Sequence, residues 1–124
     1  MKNIHTSTVA IIIATHNRLN YLPETLDSVL KQKLEDKYAL SIVISDNSTN
    51  SDTEKYFSSN IYPNVTYTKR TPSVSMVEHF NIILKEIDTD FFMIFHDDDV
   101  MEENMVMKLL DHFTPSTVAV SSYA

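Results

Sequence analysis

The sequence predicts an α/β fold, with residues 1–124 forming a single domain built on a mainly parallel β-sheet with helices on both faces. Three observations predict this fold. Short runs rich in Val, Ile and Phe alternate with longer amphipathic segments, as in successive β-α-β units. The runs Val9 to Ala14 and Phe91 to Phe95 are apolar throughout, which is typical of strands buried on both faces of a parallel sheet. Polar residues follow the runs, and parallel strands bring such ends to one edge of the sheet.

The first half of the chain predicts two strands and two helices. Val9 to Ala14 is rich in β-branched residues and predicts a central strand. The segment from about Leu22 to Gln32 predicts a helix, because its Leu and Val residues share one face and Pro23 is tolerated in the first turn. Leu40 to Ser45 predicts the second strand. The segment Ser51 to Phe57 opens with capping-box spacing and predicts a short helix.

The second half continues the alternation. Val65 to Lys69 alternates polar and apolar residues and predicts a more exposed strand. Ser75 opens a second capping box and a long helix, on which His79 is predicted to face solvent. The apolar face of that helix consists of Met76, Phe80, Ile83, Leu84 and Ile87. The Phe-rich run predicts a strand in the middle of the sheet. Glu103 to Phe113 predicts a helix and Val118 to Val120 begins a fifth strand, so the predicted order is βαβαβαβαβ.

The composition excludes several classes of protein. The formal net charge is −7, which argues against a nucleic-acid partner because phosphate binding requires a basic face. The chain has no Cys, so disulfides and thiolate metal sites are excluded. It has no Gly, which excludes a P-loop and leaves Asn or Asp for left-handed backbone positions. No run is long enough for a signal peptide or a membrane span, and we therefore expect a cytoplasmic protein.

Three predicted strand ends carry polar clusters. These clusters are Thr15-His16-Asn17-Arg18, Asp46-Asn47-Ser48 and Asp97-Asp98-Asp99. Because the carboxyl ends of parallel strands form the ligand-binding edge of such sheets, we expect the clusters to form one site. Two carboxylates about 4 Å apart repel by roughly 1 to 4 kcal/mol, and a divalent cation relieves that repulsion. Oxygen ligands suit Mg²⁺ or Mn²⁺. The alternative is a solvated acidic turn in which Asp99 caps the following helix.

With these clusters the sequence resembles the N-terminal, nucleotide-sugar-binding half of family 2 glycosyltransferases, which have a Rossmann-like GT-A fold. The resemblance begins in Val9 to Arg18, where the family has an apolar strand followed by Pro-Thr-Tyr-Asn-Arg. It continues in Ile42 to Thr49, where the family has Val-Val-Asp-Asp-Gly-Ser-Thr, and includes the helical Asn81 and the Asp-rich strand end. It therefore covers essentially the whole chain. A signalling receiver domain has a similar alternation but needs an acid pair after the first strand, where this chain has Thr15 and His16.

Three residues depart from the family pattern. His16 replaces the usual Tyr, and Ser45 replaces the first Asp of the Asp pair. Asn47 replaces the Gly, which Asn can imitate in a left-handed conformation.

The resemblance implies an inverting glycosyltransferase that uses a nucleotide-diphosphate-sugar donor, most often a UDP-sugar, with Mn²⁺ or Mg²⁺ as cofactor. It implies that Thr15 and the backbone near His16 hold the base, and that Asp46 hydrogen-bonds the uracil ring. The implied nucleotide-binding residues are Thr15, His16, Asn17, Arg18, Asp46 and Asp97.

Two registers of the family's DxD motif are open. Matching the apolar flanks places His96 and Asp98 at the two Asp positions, with Asp99 next. Matching acids alone places Asp97 and Asp99 there, on one face of a continued strand. We assign the metal to Asp98 and Asp99 by the first register, and the role of Asp97 stays open.

We expect no catalytic base within this chain. An inverting transfer needs a general base for the acceptor hydroxyl, and the resemblance implies an acidic residue downstream of the DxD motif, in the part that builds the acceptor site. The acceptor itself, a saccharide, a lipid or a protein, is not identified. An uncovered sheet would favour a homodimer or a missing C-terminal segment, and the resemblance allows peripheral membrane association of a full-length protein. The alternative function is a non-catalytic or truncated nucleotide-sugar-binding module.

Overall fold

The computed structural model describes residues 6–121, in which strands and helices alternate strictly. The elements are β1 (Ser7–Thr15), α1 (Leu22–Leu30), β2 (Tyr38–Asp46), α2 (Asp52–Ser59), β3 (Val65–Lys69), α3 (Met76–Glu86), β4 (Phe91–His96) and α4 (Met105–Leu110). None of the helices in this range has both the length and the apolar composition needed to cross a bilayer.

The strands form one sheet in the order β3-β2-β1-β4, and every pairing between them is parallel. The carboxyl ends are in register, because Thr15 pairs with Asp46 and Ala14 pairs with His96. Helices cover both faces. The larger core packs α1, α2 and α4 on one face, whereas α3 alone packs on the other, around Ile12 and Ile83. The predicted parallel α/β sheet is therefore confirmed.

The position of β4 in the sheet differs from the prediction. The Phe-rich run was expected in the middle of the sheet, but β4 is an edge strand that pairs only with β1 in the described part of the chain. Phe92 is consequently 50% exposed on the face that α3 covers. The apolar run correctly indicates that β4 packs against the core, where Phe95 lies with residues of α4. A run of apolar residues does not indicate which strands pair with each other.

The predicted fifth strand is absent from the described residues. The segment from Thr117 to Ser121 has no regular structure, and Val118 is 95% exposed. Three apolar residues without a pairing partner bury too little surface to hold a strand. The end of that run, at Tyr123, lies outside the described residues. The last helix is also shorter than predicted, since α4 begins at Met105 and ends at Leu110.

Of the predicted helix caps, the one at Ser75 is confirmed and the one at Ser51 is wrong, and the predicted buried face of α3 is wrong in part. Ser75 Oγ accepts a hydrogen bond of 3.2 Å from the Glu78 N–H, as predicted, whereas the Ser51 side chain makes no capping bond. The buried face of α3 is rotated from the predicted stripe. Met76 is 73% exposed, and His79, which was predicted to face solvent, is buried.

Asn residues occupy the left-handed positions, as the absence of Gly predicts. Within residues 6–121, positive φ angles occur at Asn17 (53°) and Asn64 (62°). Asn47 is not among them, so it does not imitate the family's Gly in a left-handed conformation. Its side chain is instead buried and bonded, as described below.

Candidate functional site

A cavity of about 520 Å³ opens at the carboxyl ends of β1, β2 and β4, beside the beginning of α3. We call it the edge cavity. Its volume lies within the usual range for ligand sites. The residues that line it are Ala14, Thr15, His16, Arg18, Asn47, Val74, Met76, His79, Phe80, His96, Asp97 and Asp98. It therefore combines polar residues from three strand ends with an apolar wall from α3 and the residues before it.

Thr15 and Asp97 form the buried floor of the edge cavity, where β1 and β4 end. The Thr15 hydroxyl donates to Asp97 Oδ2 at 2.9 Å, and the His16 N–H is 3.4 Å from the same oxygen. The Thr25 hydroxyl of α1 donates to the Asp97 carbonyl at 2.9 Å. Asp97 is therefore a structural acceptor that joins both strand ends to α1. The preceding residue, His96, is exposed and lines the same cavity.

The loop after β1 is tied to the loop after β2. His16 Nδ1 lies 2.7 Å from the Asn47 carbonyl, which can only accept, so Nδ1 carries the ring proton. Asn17 uses its left-handed backbone to place its side chain against the next loop. Its Oδ1 accepts from the Thr49 N–H at 3.0 Å, and its Nδ2 donates to Thr49 Oγ1 at 2.8 Å. Asn17 therefore positions the loop and is not among the residues that line the cavity.

Asp46 is fully buried, with 0% of its surface exposed. Its Oδ1 accepts from the Ser48 N–H at 2.9 Å. Its Oδ2 accepts from the Tyr67 hydroxyl, and Lys69 Nζ lies 3.8 Å away. Burial and the hydrogen bond to Asp46 raise the pKa of Tyr67, which keeps the phenol protonated and donating. Both carboxylate oxygens are thus used inside the protein, and Asp46 is not among the residues that line the edge cavity.

Asn47 connects the end of β2 to the start of α3. Its Oδ1 accepts from the Val74 N–H at 2.8 Å, and its Nδ2 donates to the Val74 carbonyl at the same distance. The Ser73 hydroxyl donates to the Asn47 carbonyl at 2.7 Å. These bonds satisfy the amide on both sides and fix the apolar wall relative to the strand ends.

The acids Asp98 and Asp99 are exposed, in contrast to Asp97. Arg18 Nη1 donates to Asp98 Oδ2 at 2.7 Å across the mouth of the edge cavity. Asp99 lines a separate, larger cavity of about 1190 Å³ beside α4. The structure therefore brings Arg18 and Asp98 together with Thr15, whereas Asp99 faces the neighbouring cavity.

A divalent cation is compatible with this donor set only with help from a substrate. Within residues 6–121 no group of three or more His, Cys, Asp or Glu side chains is arranged to hold a metal ion. Mg²⁺ and Mn²⁺ commonly bind through one or two carboxylates and complete their shell with substrate phosphates and water. Asp98 fits that role, because its carboxylate is exposed at the cavity and already attracts a cationic group, Arg18.

A buried polar network beneath the cavity was not predicted from the sequence. His79 Nε2 lies 2.8 Å from Ser45 Oγ. The same oxygen accepts hydrogen bonds from Arg70 Nε at 3.1 Å and Nη2 at 3.0 Å. The Arg70 guanidinium in turn binds both oxygens of Glu86. Burial, with the positive charge of Arg70, lowers the pKa of His79 below its ordinary value. The hydrogen bond from Arg70 lowers the pKa of Glu86. Ser45 at the family's Asp position was the only sequence signal of this network.

Comparisons with known proteins agree with the fold. A family model described as "Glycosyl transferase family 2" matches residues 10–123. No curated protein sequence matches significantly. Among solved structures, S. aureus TarS 1-349 in complex with UDP-GlcNAc is 18% identical, with a TM-score of 0.67 over 84% of this chain and 30% of that one. The same TarS fragment has also been solved with UDP.

A second similar structure is the mannosyltransferase PcManGT from Pyrobaculum calidifontis in complex with GDP-Man and Mn²⁺. It is 20% identical, with a TM-score of 0.73, and the match covers 91% of this chain and 34% of that one. At these identities the likeness shows a shared fold. The chain spans about a third of the length of these solved chains.

Proposed function

The chain belongs to glycosyl transferase family 2, and on that premise we propose that the edge cavity binds the nucleotide-sugar donor of a glycosyl transfer reaction. One observation carries the proposal. The cavity joins an apolar wall to a polar floor, and at its mouth it presents one cationic and one anionic side chain, Arg18 and Asp98. A nucleoside diphosphate has matching parts, namely a flat base, a ribose and a charged diphosphate.

The proposed donor is a UDP-sugar. Its base would lie against Val74, Met76 and Phe80, and its diphosphate would lie near Arg18 and Asp98. In this arrangement Thr15 and the backbone of His16 border the nucleoside. Asp46 then acts indirectly, by holding the loop after β2, because its carboxylate is enclosed by Ser48 and Tyr67. The direct bond from Asp46 to uracil that the resemblance implies would require this enclosure to open.

The proposed reaction is transfer of the sugar with inversion at the anomeric carbon. Negative charge develops on the departing diphosphate, and Arg18 is placed to approach it when its contact with Asp98 is exchanged. The chemistry that Mn²⁺ or Mg²⁺ supplies when bound at Asp98 is stabilisation of that same charge. Asp97 stays with Thr15 and holds the strand ends together.

We propose that the general base lies outside residues 6–121. The acids that line the edge cavity are Asp97 and Asp98. Asp97 is a buried acceptor and Asp98 is assigned to the metal, so neither is available to deprotonate an acceptor hydroxyl. The 124-residue chain alone then binds the donor without transferring its sugar. This is the alternative function predicted from the sequence, a non-catalytic or truncated nucleotide-sugar-binding module.

Calorimetry with UDP, GDP and inorganic pyrophosphate, each with Mn²⁺, tests donor binding. We expect UDP to bind more tightly than pyrophosphate, because the base and ribose add contacts in the cavity. Equal affinities for UDP and pyrophosphate would contradict nucleoside recognition. In a parallel assay we expect no appreciable sugar transfer to an acceptor by this chain alone. Transfer at an ordinary enzymatic rate would show that the base lies within it.

A further inference from the structure

His79 is a buried titratable residue for which the proposed binding mode has no role. It lies in α3 with 4% of its surface exposed, and it is one of the residues that line the edge cavity. Its Nε2 is bonded to Ser45 at the end of β2. An apolar side chain at this buried position of α3 would need no hydrogen-bond partner, whereas an imidazole ring does. A buried imidazole at a ligand cavity therefore requires an explanation.

The bonding pattern determines which ring nitrogen carries the proton. Ser45 Oγ accepts two N–H groups of Arg70, at 3.1 and 3.0 Å, and a hydroxyl has only two lone pairs. Its own hydrogen is therefore left for His79, and Nε2 must be the accepting nitrogen. Glu86 holds Arg70 in place through both carboxylate oxygens. In the neutral ring the proton is then on Nδ1.

The Nδ1–H group has no partner among residues 6–121, yet it is not sealed inside the protein. Within that range, the fully buried side-chain atom that lacks a hydrogen-bond partner is Thr53 Oγ1. His79 Nδ1 also lacks a partner but does not belong to this class, because it is not fully buried. The atom therefore reaches solvent. Of the cavities described here, the edge cavity is the one that His79 lines. His79 is therefore a residue of the edge cavity with an N–H donor that no other described residue engages.

The strand order indicates which part of a nucleotide would meet this donor. His79 is anchored to β2, whereas Asp98 follows β4, and β1 lies between the two strands. Neighbouring strands are about 4.8 Å apart, so the two sites are separated by roughly 10 Å. With the diphosphate near Asp98, the far edge of the base comes to the β2 side. The apolar Val74 and Phe80 line the cavity there.

We propose that His79 is a specificity-determining residue of the edge cavity, whose Nδ1–H donates to an exocyclic carbonyl oxygen on the edge of the base away from the ribose. The proposal rests on the proposed nucleotide binding and refines it. Uracil and guanine carry an oxygen at that position, whereas cytosine and adenine carry an amino group that would oppose one donor with another. The predicted preference is therefore for keto bases. Burial and Arg70 lower the pKa of His79, which keeps this neutral donor form at pH 7.

Two substitutions at one position separate the donor from the scaffold. In His79→Gln the amide oxygen can still accept from Ser45, but the Nδ1 donor is lost. In His79→Asn the amide nitrogen can take the place of Nδ1. We expect His79→Gln to weaken UDP binding about tenfold and to lower the ratio of UDP to CDP affinity, the effect of one lost hydrogen bond. We expect His79→Asn to keep most of that ratio, and Mn²⁺-pyrophosphate binding to be unchanged in both variants.

The controls make failure of this proposal distinguishable from failure of the proposed function. His112→Gln removes an exposed His outside the edge cavity and should change neither ratio nor affinity. If wild type prefers UDP to pyrophosphate and His79→Gln retains the full UDP to CDP ratio, the role of His79 is wrong and nucleotide binding stands. If wild type shows no preference for UDP over pyrophosphate, both proposals fall.

A measurement without any ligand tests the tautomer. Long-range ¹H–¹⁵N NMR of the imidazole should show Nδ1 protonated and Nε2 unprotonated in wild type at pH 7. In Ser45→Ala, which removes the fixed partner, the tautomers should mix. Protonation of Nε2 in the wild-type protein would overturn the proposal even if both His79 variants fail to fold.

Discussion

The two ends of the edge cavity differ in how firmly their side chains are held. At the β2 end, Asp46, Asn47 and His79 are buried and each is bonded to at least one other element. At the β4 end, Asp98 and Asp99 are exposed, and Asp98 is held by one surface ion pair. A ligand that binds here would meet a prearranged β2 end and an adaptable β4 end. Such a division suits a donor whose base is recognised by prearranged groups and whose diphosphate arrives with a cation.

The largest difference should appear in stability. Asp46→Ala leaves the Tyr67 hydroxyl and the Ser48 N–H without their buried partner, so we expect the free energy of unfolding to fall by about 3 kcal/mol. Asp98→Ala removes an exposed ion pair and should cost less than about 1 kcal/mol. Urea unfolding of both variants measures the two values. Equal losses would mean that the β2 end is no more rigid than the β4 end.

The adaptable end should dominate the metal dependence of binding. Asp98→Asn keeps the size of the side chain but removes its charge, so we expect the gain in UDP affinity from Mn²⁺ to fall at least about tenfold. Asp99→Asn is the matched control and should have a smaller effect, because Asp99 lines the neighbouring cavity. Calorimetry with and without Mn²⁺ compares them. A larger loss in Asp99→Asn would favour the other register of the DxD motif, in which Asp97 and Asp99 occupy the two Asp positions.

The smallest effect expected is a pH dependence located at the β2 end. The folded pKa of His79 is lowered, so the unfolded chain binds more protons below pH 6.5 and stability decreases as the pH falls from there. Arg70 and His16 oppose protonation of His79, while Asp46 and Glu86 favour it. The lowered pKa of Glu86 extends the loss below pH 4.5.

Unfolding in urea at about pH 7.5 and about pH 5.5 measures this dependence. The stability difference between the two pH values should be smaller in His79→Gln than in wild type. His112→Gln should behave like wild type, because that exposed residue is not held in a buried network. An undiminished difference in His79→Gln would place the titrating group elsewhere.

The sequence predicted the strands and helices better than it predicted how they pair and pack. Apolar runs located β1 and β2 because burial on both faces leaves a direct mark on composition. The edge position of β4 depends on strand pairing, which a run of Phe residues does not encode. The rotated face of α3 was missed because hydrophobic periodicity treats a buried His79 as a polar residue.

The site was predicted in outline for the same reason. Polar clusters at three strand ends correctly indicated one edge, and Thr15, Arg18 and Asp98 meet there. The enclosure of Asp46 by Tyr67 and the bond between Ser45 and His79 join residues 21 and 34 positions apart. Such contacts follow from the order of the strands and from helix rotation, neither of which is visible in a single sequence.

The left-handed Asn17 and Asn64 also bear on the unfolded chain. Average usage of about 7% would give roughly nine glycines in a protein of this length, and this chain has none. A residue other than Gly narrows the conformations open to the unfolded chain, and this stabilises the folded protein by about 0.4 to 1 kcal/mol only where the native backbone angle suits that residue. Asn17 offsets its own backbone strain with hydrogen bonds to the neighbouring loop, so the turn next to the cavity keeps the conformation of a glycine without its freedom.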